Sequence, residues 1–239
     1  MTGQRYDIVV NADQPVGDYW MRAVPQSECS SNNNSADIRA IIRYDGTSTA
    51  DPTSTAYEEA TNNLCDDMPY ESLVPYLPMD VINPVRDDSE LDVGIGINSQ
   101  SLFKWKIGTE SMLVKWADPS LYSIMQGNTT FEAEEVVYNL PTANQWIYFV
   151  IETAIAVPHP IHLHGHDYFV LAEARNAVYN SSVPLNLKNP PRRDVVNLPT
   201  AGYMVMAFYT DNPGAWLVSD ESILLPLFFH PWQRRKKKS

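Results

Sequence analysis

His159-Pro160-Ile161-His162-Leu163-His164-Gly165-His166, continued by Asp167-Tyr168-Phe169-Val170, is the stretch on which the reading of this chain turns. Four of the five histidines fall within eight positions. Tyr168, Phe169 and Val170 are aromatic or β-branched, which predicts a strand. Side chains alternate along a strand, so His162 and His164 share one face, and His159 has the opposite parity. Imidazole nitrogen is a preferred ligand of copper, zinc, iron and nickel. Packing does not account for four imidazoles so close together, because they repel when protonated and need partners when buried. The run therefore predicts metal ligation, with a cluster on one side of the strand and a single metal on the other. A metallo-β-lactamase pattern would need Asp before the last histidine, whereas Asp167 follows His166. A cupin pattern would need Glu where Tyr168 and Phe169 stand.

Working outward, the chain reads as all-β. Val93, Ile95 and Ile97 alternate with small or polar residues. Phe103, Trp105 and Ile107 alternate with Lys104 and Lys106, which places one face inside and the lysines in solvent. Residues 145–153 and 202–211 are rich in β-branched and aromatic side chains between turn formers. Short strands separated by Pro, Asn, Asp and Gly clusters predict a sandwich or barrel. Residues 24–37 and 45–63 are polar and loop-like. Pro75, Pro78, Asp80 and Pro84 mark a connector, and the domain boundary is placed near residue 88.

The chain has 239 residues, 44% of them hydrophobic, which is ample for a packed core. Its formal net charge is −12, and without residues 219–239 the balance is 12 basic against 27 acidic, or −15. A body this acidic disfavours nucleic acid and anionic membranes as partners. No stretch approaches the ~18 apolar residues of a transmembrane helix, and Met1-Thr2-Gly3-Gln4-Arg5 lacks the pattern of a signal peptide. Cys29 and Cys65 are the only cysteines, and their even number permits a bridge. Asn33, Asn128 and Asn180 begin glycosylation sequons.

His159 to Leu171 resembles the third copper-binding signature of the multicopper oxidases, above all laccases of the ascomycete type. Gly3-Gln4-Arg5-Tyr6-Asp7 resembles a strand near the end of the second laccase domain, and Asp18-Tyr19-Trp20 the strand after it. Pro191-Arg192-Arg193-Asp194-Val195 and Asp211-Asn212-Pro213-Gly214-Ala215-Trp216-Leu217 resemble two stretches of the third domain. The resemblance implies a cupredoxin-like Greek-key β-sandwich, with one partial and one truncated domain: residues 1–87 and 88–218. It also implies roles: His159 would bind type 1 copper, His162 type 2 copper and His164 type 3 copper. His166 matches a family histidine that is not a ligand and would orient its neighbours. Cys29 and Cys65 match the order and spacing of a second-domain disulfide. Such a bridge would stabilise by roughly 3–4 kcal/mol; the other reading is two buried free thiols.

The implied activity is one-electron oxidation of phenolic substrates, coupled to reduction of dioxygen to water in a secreted enzyme. Three of the family's four histidine-rich signatures are missing from this sequence. No histidine precedes residue 159, and Val218-Ser219-Asp220-Glu221 stands where the family has a His-Cys-His run. A blue copper site needs His₂Cys ligation, and neither cysteine lies in residues 88–218. The chain is accordingly read as an inactive C-terminal fragment. A non-catalytic copper-binding protein, or a zinc or iron enzyme built on His162, His164 and His166, are the alternatives. Residues 219–239 carry five consecutive basic residues, Arg234 to Lys238. They read as an unrelated tail of translated intron, since Val218-Ser219 is what a GTAAGT or GTGAGT splice-donor sequence encodes; a membrane- or nuclear-targeting tail is the rival reading. With Pro226 and Pro231, the tail is expected to supply no interior ladder strand.

Overall fold

The computed structural model describes residues 3–25, 38–44, 49–55, 67–87, 91–97, 101–140, 142–220 and 223–229. Contacts group the chain into two compact units, Asp7–Asp66 and Met1–Tyr6 with Asp67–Ser239. By these contacts the proline-marked connector belongs with the larger unit.

The smaller unit holds β1 (Asp18–Ala23) and β2 (Ile38–Arg43), paired antiparallel with Asp18 opposite Arg43. Those two side chains form an ion pair at 2.9 Å. The Arg39 guanidinium lies 4.0 Å from the centre of the Trp20 ring, and Trp20 Nε1 donates to the Pro52 carbonyl at 2.9 Å. Among its described residues none is a buried hydrophobic.

The larger unit is a two-sheet sandwich. In chain order its strands are β3 (Val85–Arg86), β4 (Leu91–Ile97), β5 (Phe103–Ile107), β6 (Tyr138–Asn139), β7 (Trp146–Thr153) and β8 (His159–Leu163). They continue with β9 (Tyr168–Ala174), β10 (Arg192–Arg193), β11 (Val195–Leu198), β12 (Tyr203–Tyr209), β13 (Gly214–Asp220) and β14 (Ile223–Phe229). One sheet runs β10-β9-β12-β7-β4-β5, with β3 also on β7; the other runs β11-β8-β13-β14-β6. From β7 to β13 the chain passes repeatedly from one sheet to the other, as a Greek-key sandwich requires. The all-β architecture expected from the sequence is the one observed, and β4, β5, β7 and β12 lie where the alternating patterns put them.

The core follows from alternation. Met204, Met206 and Phe208 of β12 point between the sheets, where they meet Phe149, Ile161, Leu163, Val196 and Val218. Phe149 and Phe208 stack with ring centres 5.9 Å apart. Tyr203, Val205 and Ala207 point the other way, against Val150, Phe169, Leu171 and Val81. With both faces covered, β12 is a nearly unbroken apolar run (YMVMAFY), buried from Tyr203 to Phe208. Each such side chain contributes about 1.5–3 kcal/mol on burial.

Two expectations are corrected. Residues 4–13 form no ladder, although Gly3-Gln4-Arg5-Tyr6-Asp7 is expected as a strand. Gln4, Arg5 and Tyr6 instead bind through their side chains, to Asp67, Asp194 and Arg193. A strand needs a neighbour to pair its backbone groups, and none of the described strands lies beside this segment. Conversely, the tail does supply a strand. β14 pairs along its full length with β13, from Gly214↔Phe229 to Asp220↔Ile223, and touches β6 in parallel. The free edge of β13 rewards any apolar segment that can satisfy it, and Pro226, opposite Leu217, removes only one donor.

Candidate metal centre

β8 lies between β11 and β13 and alternates as its sequence dictates: His159, Ile161 and Leu163 are buried, and Pro160 and His162 half-buried. His159, 4% exposed, faces the core side, with its ring edge-on to Trp105 of the opposite sheet at 5.0 Å and 83°. His162 and His164 share the outer face, their ring centres 4.7 Å apart. Two imidazoles stand together on one side of a strand, and a third lies on the other.

The orientation of His162 is set by a backbone group. β11 pairs with β8 so that Val195 is opposite His162. This brings the Asp194 carbonyl to 2.6 Å from His162 Nδ1, which donates to it. A carbonyl can only accept, so the proton sits on Nδ1 and Nε2 keeps its lone pair for a metal. The Asp194 carboxylate in turn accepts from Arg5 Nε at 2.8 Å.

Behind this bend lies a buried ion pair. Arg193 Nη1 and Asp67 Oδ2 are 3.0 Å apart, with side chains 4% and 7% exposed. Asp67 also accepts from Gln4 Nε2 at 3.0 and 3.1 Å and from the Asn197 amide at 3.2 Å. The charges are thus multiply hydrogen-bonded, the condition under which a buried pair is tolerated. Tyr6 lies under the Arg193 guanidinium, 4.8 Å from ring centre to carbon.

His164 follows the last residue of β8, and its amide donates to the Leu217 carbonyl at 2.8 Å. Its Nε2 is 3.4 Å from the Ser219 hydroxyl. Gly165 turns the chain with φ +72°, and a Cβ there would meet the Trp216 ring at 2.4 Å, so only glycine fits. Asn212 Nδ2 donates to the Gly165 carbonyl at 2.9 Å, and Trp216 Nε1 to the Asn212 carbonyl at 2.8 Å. His166 packs between Phe208 and Trp216, at 5.4 and 5.6 Å, and its Nδ1 donates to the His164 carbonyl at 3.3 Å. Burial, then the neighbouring His162, holds the His164 pKa below the usual imidazole value; burial does the same for His166. Neutral imidazole is the ligating form.

His162 and His166 line a cleft of about 830 Å³ walled by Trp146, Arg192, Asp194 and Asp211 among others. The donor set suits a borderline metal such as copper: imidazole nitrogens, one with its tautomer fixed. Among the described residues, no three His, Cys, Asp or Glu side chains converge on one point.

Cys29, Cys65 and Asn33 lie outside the described residues. Asn128 and Asn180 are exposed in turns, where their Oδ1 atoms accept from the amides of Thr130 and Ser182. The roles of Asp67, Arg193 and the Asp194 carbonyl are not legible in the sequence. The Arg192-Arg193-Asp194 and Asn212-Trp216 stretches carried the signal, but as resemblance without chemistry.

Models of the family described as multicopper oxidase match residues 106–219 and 1–47. Laccase-1 of Botryotinia fuckeliana is 43% identical over 222 residues, covering 90% of this chain and 37% of its own. The crystal structure of the laccase from Botrytis aclada superposes with a TM-score of 0.70 at 36% identity, over 90% of this chain and 41% of that one. Fet3p, a multicopper oxidase that functions in iron import, shares the fold with a TM-score of 0.55 at 20% identity, over 82% of this chain and 40% of its own. The chain thus spans about two-fifths of the length of these relatives. With the imidazoles set on both sides of one sandwich strand and two models of one family matching either end of the sequence, the chain belongs to the multicopper oxidase family, and copper is its cofactor.

Proposed function

We propose that this chain carries the third-signature copper ligands of a secreted laccase-type oxidase, with His159 serving type 1, His162 type 2 and His164 type 3 copper. The complete oxidase would take single electrons from phenolic substrates and reduce dioxygen to water. The observation that carries the reading is the placement of His159 on one face of β8 and of His162, with His164 just past the strand's end, on the other. Copper, when bound, supplies the one-electron redox chemistry. The chain's own part is to hold His162 by the Asp194 carbonyl, to set His164 beside it with its pKa below the usual imidazole value, and to close His159 off behind Trp105. We infer that the chain alone does not turn over, since its five histidines and two cysteines cannot complete a blue centre and a trinuclear cluster. We also read residues 219–239 as translated intron joined to the family sequence, whose match runs to residue 219; the tail's apolar part nonetheless pairs with β13.

The test is copper titration followed by electron paramagnetic resonance and oxygen uptake with a phenol. Expected are substoichiometric weak binding with nitrogen hyperfine structure, its loss in His162→Ala and His164→Ala, no intense blue band and no oxygen uptake. A blue band, or copper binding indifferent to both substitutions, would sink the assignment.

A further inference from the structure

We infer that Asp67 and Arg193 are positioning residues that select the tautomer of His162. Asp67 grips the chain on both sides of Asp194: it pairs with the Arg193 side chain one residue before, and accepts from the Asn197 amide three residues after. The first of the three residues between these holds, Asp194, is the one whose carbonyl receives His162 Nδ1–H at 2.6 Å. Gln4 binds both Asp67 oxygens, and Tyr6 and Tyr70 flank the Arg193 guanidinium at 4.8 and 5.9 Å, so the pair cannot swing without breaking several contacts. A free imidazole exchanges its proton between the two nitrogens. Holding an acceptor at Nδ1 leaves the lone pair on Nε2 before any ligand arrives. Arg5 reaches the same bend from outside through the Asp194 carboxylate, but its side chain is 78% exposed, so it adds little to the hold.

The inference deepens the copper-ligand reading but is tested without copper. Nitrogen-15 NMR of the imidazole rings of the full, metal-free chain reports which His162 nitrogen is protonated. The wild type is expected to show the Nδ1–H form, dominant by roughly tenfold, the worth of one hydrogen bond to a partly buried ring. Asp67→Asn is expected to bring the two tautomers to comparable populations, while Arg5→Ala leaves the ratio as it was. If Asp67→Asn does not fold, Arg193→Lys, which keeps the buried charge but loses the fork, is read in its place with the same expectation. An Nε2–H wild type overturns the inference, as does an unchanged ratio in whichever of these two variants is read. A chain that shows the expected tautomers yet binds no copper in titration refutes the ligand reading alone.

Discussion

At Gly165 two independent constraints coincide, a φ of +72° and a Trp216 ring 2.4 Å from where a Cβ would stand. Alanine there would strain the backbone and push the ring, so Gly165→Ala should lose about 2–4 kcal/mol in urea unfolding. A loss under about 1 kcal/mol would mean that Trp216 yields freely. Glu173 gives a second residue-scale expectation. Burial pushes its carboxyl up to about 7, against the pull of the Tyr70 hydroxyl. A raised carboxyl pKa means that the folded state favours the protonated form. That contribution is full below the unfolded value near 4.5 and is lost as pH rises through about 7. Between about pH 5 and 8 the wild type should therefore lose about 1–2 kcal/mol, discounted for partial exposure, that Glu173→Gln retains. Parallel unfolding curves for the two proteins across that range would show that Glu173 does not titrate there.

Among the elements, legibility tracked whether a strand's own residues decide its state. β7 and β12 were readable because apolar side chains on alternating or both faces leave few other options. The parity of His159, His162 and His164 was readable for the same reason. β14 was not, because its state depends on the edge of β13, and Pro226 argues locally against it. The strand expected at residues 3–7 failed in the reverse sense: it rested on likeness to a family strand, and the segment has no described partner strand. The hold on His162 was hidden because the acceptor is a main-chain carbonyl, which every residue has. If β14 covers the β13 edge as the register shows, ending the chain after Asp220 should expose seven residues of strand, Gly214–Asp220. The shortened protein should associate in light scattering and melt lower. A monomer with unchanged melting would make β14 dispensable.

For the whole molecule, the sheets and their shared core follow from patterning, while the division into two units follows from contacts that join distant parts of the sequence. Gln4 and Asp67 are hydrogen-bonded although 63 positions apart, and Arg5 reaches Asp194 across 189. Contacts of such separation carry a loop-closure cost and slow folding. The Gln4–Asp67 hydrogen bond also closes a loop within the larger unit: residues 7–66 lie between its two ends in the sequence. The entropy of closing a loop grows only logarithmically with its length, so the anchor behind His162 tolerates a longer or shorter loop at little cost.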